Sequence, residues 1–179
     1  IARSQYLINR AMEVRLLAEQ KGDESLSFPE ELTASDRDRV QEVLAVQRSL
    51  FASRRESLNS TLASLAEQIN QMEDQIEGLE ARIGVDRRRI SSLRGEAEDF
   101  RSLFREGLGD NQRVRELERQ ILQYEGDVAS ARSEIASLKS RISESRVKQE
   151  AQRQEFQSEV GEQLRTAQSK IVEAEERIT

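Results

Sequence analysis

From Leu58 the large apolar residues of this 179-residue chain step by four and three almost without a break: Leu62, Leu65, Ile69, Met72, Ile76, Leu79, Ile83, the polar Asp86, Ile90, Leu93, Ala97, Phe100 and Phe104. Steps of this kind put every member on one stripe of an α-helix, the seam of a coiled coil. A second series runs Val114, Leu117, Ile121, Tyr124, Val128, Ala131, Ile135, Leu138 and Ile142. It turns polar at Ser145, Gln149 and Gln152 and recovers at Phe156. A four-residue stutter through Val160 and Leu164 then leads to Ala167, Ile171, Ala174 and Ile178. Such a stutter locally unwinds a supercoil.

The two series complement each other when antiparallel. Facing residue numbers then have a constant total, and Phe100 with Leu117, Ala97 with Ile121, Leu93 with Tyr124, Ile90 with Val128 and Leu79 with Leu138 all give 217 or 218. The expected fold class is therefore all-α, a long antiparallel coiled-coil α-helical hairpin with a short additional N-terminal helix. Residues 1–20 are assigned to that short helix, with Leu7, Ala11, Val14 and Ala18 on its apolar face, and 21–33 to a loop. Residues 34–106 and 111–179 are the long helices and 107–110 the tip turn. Each arm of roughly 70 residues would reach about 105 Å at the helical rise. Gly22 and Pro29 break the chain in the loop, where Leu26 and Phe28 are expected to pack on the base of the hairpin. In "TASD", Thr33 is expected to cap the first arm, with Asp36 in its first turn. Asp86 is expected to face Ala131 and to fix register.

The stretch "REGLGDNQ", residues 105–112, interrupts the pattern. A phosphate cradle would need a preceding strand and no competing anion, whereas here a long helix precedes and Glu106 and Asp110 are acidic. The spacing suits a reversal instead. Gly107 is expected in the left-handed position past the helix end, Leu108 packing back on Leu103, Gly109 freeing the backbone, and Asp110 or Asn111 capping the next helix.

Composition agrees with long helices and argues against enzymes. The chain is 35% charged, with one proline, no histidine and no cysteine, which removes Cys-His and Ser-His-Asp nucleophile systems and zinc sites of ordinary composition. Carboxylates on exposed helices have no desolvated cleft to shift their pKa values. No catalytic, cofactor or metal residue is assigned. The net charge of −6 gives no field for nucleic acid, and the arginines at 54–55 and 87–89 are read as solvated flanks or partners of a neighbouring Glu. No apolar run approaches the roughly 20 residues of a membrane span. The chain begins at Ile1 rather than Met and is read as a piece of something larger.

In the antiparallel register Leu65, Ile69 and Met72 stand opposite Gln152, Gln149 and Ser145, so an apolar stripe lacks an apolar partner. A neighbouring copy in an oligomer is the candidate cover, and a loosened, hydrated stretch of coil is the alternative.

The stretches "AEQKGDESLSFPEEL" (18–32), "QRSLFASRRESL" (47–58) and "ELERQILQYEGDVASARSEIASLKSRISE" (116–144) resemble the periplasmic adaptors, or membrane fusion proteins, of type I secretion systems. The branch is the one serving secreted proteases and lipases, within the haemolysin-secretion adaptor family. The resemblance implies a protein anchored in the inner membrane of a Gram-negative bacterium, with lipoyl-like and β-barrel domains flanking the hairpin. It implies a homo-oligomer of about six copies that joins an inner-membrane ABC transporter to a TolC-like outer-membrane channel for a secreted protein substrate. Related drug-efflux adaptors carry a spaced Arg, Leu and Ser/Thr pattern at the tip. Aligned on Leu103, this chain has Asp99 and Asp110 in the outer two positions, and only the Leu matches. The candidate channel contacts are Leu103, Glu106, Gly107, Leu108, Gly109, Asp110 and Asn111. A generic antiparallel coiled-coil spacer or tether is the competing reading.

Overall fold

The computed structural model describes residues 2–34 and 38–178. Among them are four helices and no strand: α1 Ala2–Lys21, α2 Glu30–Thr33, α3 Asp38–Arg105 and α4 Asn111–Glu176. Contacts divide the chain into two units, Ile1–Leu65 with Val147–Thr179, and Ala66–Arg146. Segments of α3 and α4 occur in both units.

In the unit spanning 66–146 the heptad seam is the core. Ile76, Ile83, Ile90, Val128, Ile135, Leu138 and Ile142 are buried together, with Leu79, Leu93 and Tyr124 packed against them. The ion pairs Glu73–Arg146, Arg94–Glu125 and Arg101–Glu118 bracket this seam, and in each the two numbers total 219. One register therefore holds from the turn to the far end of this unit. Asp86 is buried in the seam, and so is Ala131. Its carboxylate lies 3.8 Å from Arg82 and 3.6 Å from Arg89, whose guanidiniums remain in water.

Ile69 and Met72 correct the expected free stripe. Both are buried in this core, and Ser145 is buried as well, so a short hydroxyl side chain in the seam does not open it. Leu65, in the other unit, is half-buried beside a shallow groove with Thr61, Ser64, Lys148 and Gln152.

The other unit packs α1 on two sides. Leu7 and Ala11 bury against Leu32, Val40 and Leu44, joined by Phe28, while Leu16 buries against Val160, Leu164 and Ala167. A single apolar face was expected on α1; two-sided contact instead buries Leu16 completely and takes Glu13, Arg15 and Glu19 inside. Arg15 Nη1 donates to Glu19 at 2.6 Å and Arg15 Nε to Gln47 Oε1 at 2.6 Å. Arg54 lies 3.3 Å from Glu19 and 3.0 Å from Glu159, with its guanidinium 5.2 Å from the centre of the Phe156 ring. Of the two readings given for Arg54, pairing with a neighbouring Glu is the one observed, in a half-buried setting.

The expected loop contains one helical turn, α2, opened by Pro29 at φ −65°. Thr33 closes that turn, its hydroxyl directed at the carbonyls of Pro29 and Glu30, and residues 35–37, between it and α3, lie outside the described ones. Asp36 lies outside the described residues.

Candidate docking interface at the helix reversal

The reversal between α3 and α4 is built from local backbone chemistry. Gly107 adopts φ 77°, a left-handed value that costs a residue with a Cβ about 1–2 kcal/mol. Leu108 N donates to Leu103 O at 2.9 Å and Gly107 N to Phe104 O at 3.0 Å, the paired bonds of a Schellman stop. Asp110 then starts α4, its Oδ1 accepting from Gln112 N at 2.9 Å, and Asn111 becomes the first helical residue. Asp110, rather than Asn111, is the cap.

The hydrophobic half of the expected stop is different. Leu108 does not return to Leu103; it is 72% exposed. Gly109 lies near the same helix end: a Cβ added there would lie 3.4 Å from Phe104 N and 3.5 Å from Leu103 Cβ.

Three large apolar side chains consequently face water at the turn: Leu108, Leu103 at 40% and Phe104 at 49% exposure. Phe104 was not singled out by the sequence, where it counts as the last member of the seam. The seam's buried layers end with Ala97, Val114 and Leu117, and no further layer covers Phe104. The available signal was its position one step from the helix end. Glu106, Gly107, Gly109, Asp110 and Asn111 are all exposed beside this trio.

A collar of ion pairs surrounds the apolar end. Arg105 reaches Glu98 at 2.9 Å and Arg113 reaches Glu96 at 2.9 Å, while Arg101 pairs with Glu118. Hydrogen bonding to Glu118 raises the Arg101 guanidinium above its ordinary pKa, and bonding to Glu96 does so for Arg113, so both remain cationic. These pairs are exposed and screened by solvent, so they add little to stability. Their effect is to occupy the local charges and leave the apolar trio as the available contact. Among the described residues no cluster of His, Cys, Asp or Glu is arranged to hold a metal ion, and no helix is long and apolar enough to cross a membrane.

A family model described as AprE, long alpha-helical hairpin, matches residues 1–179. The chain is 29% identical over 170 residues to the type I secretion system membrane fusion protein PrsE of Rhizobium meliloti (strain 1021). That alignment covers 94% of this chain, which spans only 39% of the relative's length. Among solved structures, the soluble domain of LipC, a membrane fusion protein of a type I secretion system, matches with a TM-score of 0.91 at 30% identity. The match covers 98% of this chain and 83% of that one.

Proposed function

Because the chain belongs to the AprE long alpha-helical hairpin family, we propose that it is the periplasmic hairpin of a type I secretion adaptor whose helix reversal docks on a TolC-like outer-membrane channel. The rest of the protein, anchored in the inner membrane, engages an ABC transporter, and several copies act together on a secreted protein substrate. The role is to connect the two membranes' machinery; energy for transport comes from the transporter.

The observation that carries this reading is the exposure of Leu108 beside Leu103 and Phe104 at the end of an otherwise charged helix pair. Burying one leucine side chain from water gains about 1.5–3 kcal/mol, enough for roughly 10–100-fold in affinity. Leu108 is 72% exposed, so most of that gain is available to a partner.

Exchanging Leu108 for Asp in the full-length protein tests the reading. Helicity and expression are expected to stay at wild-type values while substrate secretion falls about tenfold or more. Undiminished secretion would remove Leu108 as a channel contact and with it the docking geometry proposed here.

A further inference from the structure

The unit spanning 66–146 carries unmatched charge on both edges of its seam. On one edge the facing positions are 73/146, 80/139, 87/132, 94/125 and 101/118. Three of them are ion pairs, and Glu80 with Lys139 has opposite charges. Only Arg87 and Arg132 set two like charges against each other. Among the described residues neither has an ion pair or hydrogen bond. Both line a groove of about 560 Å³ whose other sides include the small residues Ser91 and Ala129.

The opposite edge is marked near the turn by the Glu96–Arg113 pair. Further along it, Arg82 and Arg89 are turned to the seam carboxylate of Asp86, and Arg89 also lies 5.4 Å from the centre of the Tyr124 ring. Asp127 and Glu134, on the same edge of α4, are left with no ion pair or hydrogen bond among the described residues. Exposed Ser130 and Ser137 adjoin them. Along α4, Arg132 lies between Asp127 and Glu134, so the unmatched cations and anions share one height to within about 8 Å of helical rise.

We infer that these two edges are the two halves of a contact between neighbouring copies of this chain, with Arg87 and Arg132 of one copy meeting Asp127 and Glu134 of the next. Complementary charge fixes the partner and the relative height, while serine and alanine at the rims let the helices approach closely. Two different edges meeting head to tail make a heterologous interface.

This contact rests on the adaptor reading, in which several copies act together, and its test is separable from that of the turn. Ala129→Cys lies on the cationic edge and Ser130→Cys on the anionic edge. When the two single-cysteine forms of the full-length protein, carrying tags of different size, are co-expressed and oxidised, the expected product is the mixed dimer. Either form alone is expected to cross-link roughly tenfold less. Adding Arg87→Glu and Arg132→Glu to the Ala129→Cys form keeps like charges facing each other within the chain, so helicity should not change. It turns attraction between copies into repulsion, and mixed cross-linking should fall about tenfold. Asp127→Arg with Glu134→Arg in the Ser130→Cys form should restore it. Equal cross-linking in mixed and single samples, or cross-linking indifferent to the charge reversal, overturns the contact. If secretion nevertheless depends on Leu108 in that case, the adaptor reading survives and only the lateral contact is lost.

Discussion

The two units of this chain solve the same packing problem with opposite chemistry. In the unit spanning 66–146, apolar layers fill the seam and ion pairs stay at its edges in water. In the other unit, charge goes inside: the Arg15 side chain is 4% exposed and that of Glu19 is 2% exposed. Two helices with matched heptads need little beyond the seam to set their register, because a slip of one residue would rotate the apolar stripe about 100° away from the seam. A third helix laid against two others has many near-equivalent apolar placements, since α1 is short and rich in Ala and Leu. Arg15 and Glu19 pair within α1 wherever it lies, and the placement observed is the one that also brings Gln47 to Arg15 and Arg54 close to Glu19, so that the buried pair finds its remaining polar partners. The ionic cluster is how α1 is told where to sit.

The largest expected effect follows from that difference. Glu19→Ala leaves the Arg15 guanidinium inside without its carboxylate, which should cost about 3–5 kcal/mol. Urea denaturation should show the loss, and hydrogen exchange should place it in α1, with amides around Ile90 and Val128 keeping their protection. Arg101→Ala, which removes an exposed pair in the other unit, should shift the urea midpoint far less than Glu19→Ala does. Similar losses for the two variants would erase the distinction drawn between the units.

A smaller effect of opposite sign is expected at the one place where the apolar seam carries a charge. Asp86→Leu removes a carboxylate buried among apolar residues, and its former partners, Arg82 and Arg89, have side chains 60% and 55% exposed and remain hydrated. No buried charge is orphaned, so a gain of about 1–2 kcal/mol is expected in urea melts. A loss of that size instead would show that this unit too depends on an internal charge, and the comparison would need to be redrawn.

The heptads made α3, α4 and their register legible, because seam periodicity and the 219 ion-pair total express the same geometry. The reversal was legible in its backbone, since a left-handed Gly107 and a capping Asp110 are local consequences of residue type. What sequence could not supply depended on a third body or on fine volume. Met72 opposite Ser145 looked uncovered because periodicity treats a serine as polar, whereas in the seam its small size decides. Arg15 and Glu19 were not picked out at all, because nothing in a single-helix pattern announces a second packing face. Leu108 looked like a staple, but the stop closes through its backbone bonds alone and leaves that side chain 72% exposed.

The smallest expected effect concerns the phenol of Tyr6, packed in the α1 cluster with Leu7 and Leu32. Burial, and then the negative charge of Glu31, raise its pKa above the ordinary value of 10.0. The folded state thus holds the phenolic proton more tightly than the unfolded chain does. Its contribution to stability is complete below pH 10 and is lost as pH rises through the folded value, because the phenolate forms more readily once unfolded. Tyr6→Phe cannot titrate, so the stability difference between wild type and variant should be constant up to about pH 10 and then shift against wild type. Paired urea melts across that range, taken at one ionic strength, isolate the phenol from the lysines that titrate alongside it. A difference that stays flat into the alkaline range would mean that α1 leaves Tyr6 as hydrated as in the unfolded chain, and that its packing is looser there than around Glu19.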